Sequence, residues 1–265
     1  MAQKKKEQAT VLWQQEIAPG IYDCRIKTSL AQDAAPGQFV ALYPRDKSTL
    51  LPRPISICEV NKEEGSLRLV YRVAGKGTGE FSAYREGDEI AVLGVLGNGF
   101  PLDKAKEGQT AFLMGGGIGV PPILELARQL NCEKKIIVGY RDENCFLQSD
   151  FEKNGQVFIA TEDGSVGTRG NVMDAIRENG LKADVIYACG PMPMLRAIKQ
   201  YALEADIPAY ISLEERMACG VGACLGCVCR TKDVDAHSHV NNARICTDGP
   251  VFEAREVEIG IQKLP

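Results

Sequence analysis

The feature that most constrains the fold is a change of periodicity around FPLDKAKEGQT, residues 100–110. Before it, IYDCRIKT, FVALYP, PISICEV, SLRLVYRVA and DEIAVLGVLG read as short strands. Gly, Pro and charged turns separate them, and no helical period intervenes. That spacing predicts an antiparallel barrel or sandwich. After the break, strands and helices alternate. TAFLM, KKIIVGY, QVFIAT, DVIYACG and AYISL are strands; PILELARQL, NVMDAIRENG and PMLRAIKQYALEA are helices, the second ending at Gly180 as a left-handed cap. Strand–helix alternation implies a doubly wound parallel sheet. The expected fold class is therefore β + α/β. It divides into an N-terminal tail over 1–10, an antiparallel β-barrel over 11–104, a nucleotide-type α/β domain over 105–212 and a small cysteine module over 213–265.

The module begins with CGVGACLGCVC, which holds four of the ten cysteines. Cys219-x4-Cys224-x2-Cys227, with Cys246 following after eighteen intervening residues, is the plant-type [2Fe–2S] spacing. Gly220, Gly222 and Gly226 give the tight turns that let backbone N–H groups approach sulfur. Zinc is the rival, through Cys224 and Cys227 with His237 and His239. It leaves Cys219 and Cys246 without a reason, and the iron–sulfur reading is favoured. Cys229 reads as a neighbouring buried thiol. The other cysteines stand singly in apolar segments, as reduced thiols do, and a disulfide framework is the least favoured reading. Net charge is -4 and the pI about 5.4, not the balance of a nucleic-acid binder. Lys4-Lys5-Lys6 precedes no apolar signal-peptide region, and no stretch suits a membrane span. A soluble, cytoplasmic protein is expected.

MGGGIGVPPILEL links a strand to a helix. A Gly-rich turn there brings pyrophosphate to a helix N-terminus, which makes Gly115, Gly116, Gly117 and Gly119 candidate dinucleotide contacts. Two prolines replace the third glycine of the common fingerprint. About twenty residues on, Asp142 or Glu143 is placed to hold the adenine-ribose hydroxyls of NAD. The neighbouring Arg141 would suit the NADP phosphate, and solvated loop charge is the plain alternative. Cys189 and Gly190 lie at the carboxyl edge of a later strand, where ligands bind. Cys189 reads equally well as a small buried strand residue.

A barrel followed by such a domain, with Arg53-Pro54-Ile55-Ser56 on a barrel strand and Gly117-Ile118-Gly119-Val120-Pro121-Pro122 in the loop, resembles the ferredoxin–NADP reductase superfamily. The resemblance implies FAD on the barrel. Arg53 would meet its pyrophosphate and Ser56 its N5 edge, with Pro54 between them and Ile55 in place of the family's aromatic. Val70, Tyr71 and Arg72 would lie along the flavin and ribityl chain, and Gly77 and Thr78 at the pyrophosphate. With ERMACGVGAC and ICTDGPVF around the ligand cysteines, residues 11 to 255 look like the electron-transfer subunits of class 1B dihydroorotate dehydrogenases. That family implies FAD, a [2Fe–2S] cluster and NAD as substrate. It also implies an FMN-containing catalytic partner in a heterotetramer of two of each subunit. Electron-transfer subunits of sulfide dehydrogenase, transhydrogenase and hydrogenase complexes resemble the chain too. A zinc-stabilised binding module is the reading from another class, and it leaves RPIS and GGGIGVPP without purpose.

Overall fold

The structure is a computed structural model that describes residues 4–234 and 239–260. Six antiparallel strands close a barrel: β1 (Lys5–Ala18), β2 (Ile21–Lys27), β3 (Phe39–Tyr43), β4 (Arg53–Asn61), β5 (Ser66–Arg72) and β6 (Glu89–Leu96), in the order β1-β2-β5-β4-β3-β6. Alternate side chains fill it, among them Val11, Ile26, Ile57, Leu67, Leu69 and Val92. The first strand begins inside the segment expected to be a solvated tail. Lys5–Thr10 pair with Gly94–Glu89, closing the barrel. The lysines hid this strand because their ammonium groups reach outward while every second residue packs. Ala9 is buried, Lys6 Nζ lies 3.7 Å over the Tyr43 ring, and Glu7 accepts from Thr28 and Ser29. Closure also removes an exposed edge that would template aggregation.

A short helix, α1 (Lys76–Phe81), crosses from β5 to β6. Its sequence, KGTGEF, is a poor helix former. It is held instead by Thr78, whose Oγ1 accepts the N–H groups of Ala74 and Gly75, and by Phe81 in the barrel core.

The second half is β7 (Thr110–Gly116), α2 (Pro121–Gln129), β8 (Glu133–Tyr140), α3 (Gln148–Glu152), β9 (Gln156–Thr161), β10 (Thr168–Arg169), α4 (Val172–Glu178), β11 (Val185–Cys189), α5 (Met192–Glu204) and β12 (Ala209–Ser212). The C-terminal module adds β13 (Val228–Arg230), β14 (Asn242–Arg244) and β15 (Val251–Glu253). The large sheet runs β10-β9-β8-β7-β11-β12-β15. All its pairings are parallel except β12 with β15. The order reverses between β7 and β11, and a doubly wound sheet opens a ligand crevice at such a point.

The three parts share cores. Cys58 and Val70 of the barrel pack with Ile123, Leu124 and Ala127 of α2. Phe39 and Leu96 pack with Cys227, Ile245, Cys246 and Phe252 of the module. The module therefore rests on barrel and sheet at once, and β15 completes the sheet of the preceding domain.

Candidate cofactor sites

The crevice at the switch point is a cavity of about 660 Å³. Gly116, Gly117, Ile118 and Gly119 line one wall. Gly119 must be glycine: a Cβ there would stand 2.5 Å from the Cys189 carbonyl oxygen. The first turn of α2 contributes less than the sequence suggests. Pro121 and Pro122 have no N–H, and the Val120 and Ile123 N–H groups donate to Gly117 and Val120 carbonyls. The loop's own main chain, not the helix start, faces the cavity. Gly115 lies behind it, where a Cβ would come within 2.8 Å of Val120 Cα.

The other walls come from Tyr140, Arg141 and Glu162 at the ends of β8 and β9, from Gly170–Met173 at the start of α4, and from Gly190, Pro191 and Met194 at α5. Arg72 from the barrel and Glu214 just after β12 close the far side. Asp142 is not among them. Its carboxylate accepts the Asn144 N–H at 2.9 Å and the Asn144 Nδ2 at 2.7 Å, an Asx turn that holds it outside. Glu143 is also absent from the lining. Cys189 is 1% exposed and is not part of the lining; its carbonyl oxygen packs against Gly119 from behind. Burial, reinforced by Glu214, pushes its thiol far up, so it is neutral. Glu214 is open to the cavity yet crowded by protein, which raises its carboxyl, while the Arg72 guanidinium acts the other way. Nothing in the spacing marked Glu162 or Glu214. Asn171 was legible, since it caps α4 by accepting the Met173 N–H and has an acid three residues on.

On the barrel, β4 presents Arg53, Pro54 and Ser56 at or near the surface, and Ile55 turns into the barrel core. Arg53 Nη1 donates to the Leu51 carbonyl at 2.7 Å. A Cβ on Gly77 would meet Arg53 Nε at 2.8 Å, so the guanidinium lies on the bare glycine. The two make a compact cationic corner suited to phosphate, while the neighbouring Thr78 hydroxyl is spent in its own turn, donating to the Gly75 carbonyl at 3.2 Å. Val70 packs against α2. Tyr71 departs from expectation: its ring faces the barrel interior and its hydroxyl donates to Gln14 Oε1 at 2.8 Å. Adjacent strand residues point to opposite faces, so Tyr71 and Arg72 do not offer side chains to one ligand. Arg72 is the one in the crevice.

The cysteine loop is built around sulfur. Cys219 Sγ accepts the N–H groups of Val221 at 3.4 Å and Ala223 at 3.3 Å, and Cys224 Sγ that of Gly226 at 3.4 Å. Partial burial disfavours a thiolate at Cys219, but those N–H groups bring it down to about 6. Left-handed backbone at Gly220, Gly222 and Leu225 makes this wrapping possible. The four thiols fall into two contacting pairs, Cys219 with Cys224 and Cys227 with Cys246. Burial, then the Cys227 contact, pushes Cys246 up to about 12. Among the described residues no three His, Cys, Asp or Glu converge as a single ion requires. Two pairs side by side suit a two-iron cluster, in which each pair would hold one iron. Cys229 lies in β13, its thiol pushed up to about 11 by burial. His239 is exposed, and His237 lies outside the described residues. The loop is tied to the barrel by Asn98, whose Nδ2 donates to the Thr247 carbonyl at 3.3 Å and the Asp248 carbonyl at 3.0 Å.

Residues 214–258 match the model of the iron–sulfur cluster binding domain of dihydroorotate dehydrogenase B. The electron transfer subunit of dihydroorotate dehydrogenase B (NAD(+)) from Lysinibacillus sphaericus is 44% identical over 94% of this chain and 96% of its own. The Geobacillus subunit of the same name is 46% identical over 96% and 98%. The chain belongs to the dihydroorotate dehydrogenase B electron transfer subunit family. Among solved structures, an NADH-dependent reduced ferredoxin–NADP oxidoreductase, described in work on flavin-based electron bifurcation, superposes with a TM-score of 0.84. It is 28% identical, over 94% of this chain and 89% of that one. A ferredoxin NADP+ reductase from Neisseria gonorrhoeae with bound FAD and NADP shares the fold, at TM-score 0.63 and 16% identity over 80% and 94%. No helix among the described residues of this family member is long and apolar enough to cross a membrane.

Proposed function

We propose that this chain carries electrons between NAD(H) and the FMN of a separate catalytic subunit, which oxidises dihydroorotate to orotate. The observation that carries the reading is the two-pair cysteine loop packed on the same barrel that holds the Arg53–Gly77 corner. FAD, when bound, would exchange two electrons with NAD(H) and single electrons with the [2Fe–2S] cluster, whose chemistry the cofactors supply. The residues bind and orient. Arg53, Gly77 and Thr78 would hold the FAD pyrophosphate, and Ser56 would face the flavin edge. Gly116, Gly117, Gly119 and Gly190 would seat the dinucleotide, with Arg72 closing the crevice from the barrel side. Cys219 with Cys224, and Cys227 with Cys246, would hold one iron each. The main-chain N–H groups at Cys219 and Cys224 would stabilise negative charge on sulfur. The relatives' names favour NAD(H) as the nucleotide and a catalytic partner, and the family implies two copies of each subunit in the cytoplasm.

The test is the visible spectrum of the anaerobically purified protein before and after NADH. Flavin bands overlaid on broad red-shifted absorption, both bleached by NADH, are expected. The Cys224→Ser variant should keep flavin and its bleaching but lose transfer to the FMN subunit. A colourless protein that takes up only zinc would overturn the reading.

A further inference from the structure

The crevice is directional. The glycine loop sits at its middle, at the end of β7. Arg72 of the barrel and Glu214 lie on the β11–β12 side; Tyr140, Arg141, Glu162 and Asn171 lie on the β8–β9 side. If the dinucleotide's pyrophosphate rests on the loop, the redox ring must point toward the barrel. The adenosine half then falls over the ends of β8 and β9.

Three acids near that end differ in what they touch. Asp142 is tied to Asn144. Asp163 accepts the N–H of Ser165 at 3.0 Å and its hydroxyl at 2.7 Å. Both are held in their own turns. Glu162 lines the cavity, and so does Arg141, the cation nearest in sequence to Asp142. Among the described residues neither side chain makes a hydrogen bond or ion pair with another.

We propose that Glu162, not Asp142, selects the dinucleotide. Resting on the preceding assignment of the crevice, Glu162 accepts the hydroxyls of the adenosine ribose and repels a 2′-phosphate placed there. Arg141 is the latent opposite: it attracts that phosphate once the carboxylate is neutralised. Selectivity is a difference between two affinities, and a like charge against the wrong ligand is an efficient way to make one.

The experiment uses the holoprotein with four variants: Glu162→Gln, Arg141→Ala, the pair combined, and Asp142→Asn. Two readouts are taken. One is flavin bleaching by NADH and by NADPH in anaerobic stopped flow, as kcat/KM. The other is calorimetric binding of AMP and of 2′,5′-ADP. In Glu162→Gln the preference for the unphosphorylated ligand should fall at least about tenfold in both. Adding Arg141→Ala should restore most of that preference, and Asp142→Asn should leave it where it was. An unchanged preference in Glu162→Gln, or a fall in Asp142→Asn, overturns the assignment of Glu162. If the wild type binds neither AMP nor 2′,5′-ADP, the crevice is not the dinucleotide site, and both readings fall together.

Discussion

Arg68 is one of the side chains that join the barrel to the nucleotide domain, beside Glu125 and Arg128 of α2, and replacing it with methionine should be costly for a reason visible in its geometry. Its Nε donates to both oxygens of Asp23, at 3.0 and 3.1 Å, and its Nη2 to Asp23 Oδ2 at 2.7 Å. Its Nη1 reaches Asp150 of α3 at 2.9 Å and Glu59 at 3.5 Å. The Asp23 side chain is 1% exposed, and all its hydrogen bonds among the described residues come from Arg68. Removing the guanidinium leaves a buried carboxylate with no partner, a loss of about 3–5 kcal/mol. Asp150 is different. Its side chain is 26% exposed and it also pairs with Lys153, so Asp150→Asn should cost under about 1 kcal/mol. Asp23→Asn combined with Arg68→Met should recover much of the loss, since no charge is then stranded. Equilibrium urea unfolding of the four proteins measures this directly. If Arg68→Met cost no more than Asp150→Asn, the argument from Asp23 burial would be wrong.

Three more outcomes follow from the same structure. Gly119→Ala places a methyl against the Cys189 main chain at 2.5 Å, so the KM for NADH should rise about tenfold or more while bound flavin stays constant in the spectrum. Glu7 is held at about 2 in the fold: partial burial would raise it, but Lys5 and the Ser29 and Thr28 hydroxyls outweigh that. Its ordinary value is 4.5, so its contribution is complete above that pH and fades as pH falls toward 2; Glu7→Gln should flatten this acid limb in a pH series of unfolding midpoints. Asn98→Ala loses two donations to the main chain beside Cys246, and the cluster absorption should decay several-fold faster in air. Equal decay would mean that the shared apolar core alone holds the module.

The barrel strands and the alternating domain were legible because each is long enough to show its period, and the iron–sulfur module because cysteine spacing there is a chemical requirement. Where the structure places residues differently from the pattern, the causes are separate. Lys5–Thr10 looked like tail because charge on the outer face masks a strand that closes a barrel. Asp142 was placed by counting from the glycine loop, and a count says nothing of direction. The Asx turn with Asn144 turns the group away and leaves Glu162 facing the cavity. Tyr71 was recoverable, since alternation along β5 forbids neighbours from sharing a face.

What no local pattern carries is how the parts meet. β15 is three residues long, too short to show a period, yet it completes the large sheet against β12 and brings Cys246 to the barrel. There Phe39 pairs with Ser56 on one side and with Leu96 on the other. Gly220 packs on Leu96, where a Cβ would stand 3.3 Å from Cδ1. Ser56 therefore lies two strand spacings, roughly 10 Å, from the strand that touches the cysteine loop. The closed barrel and the shared core fix that separation, so no domain movement is needed to bring the Ser56 strand and the cysteine loop together.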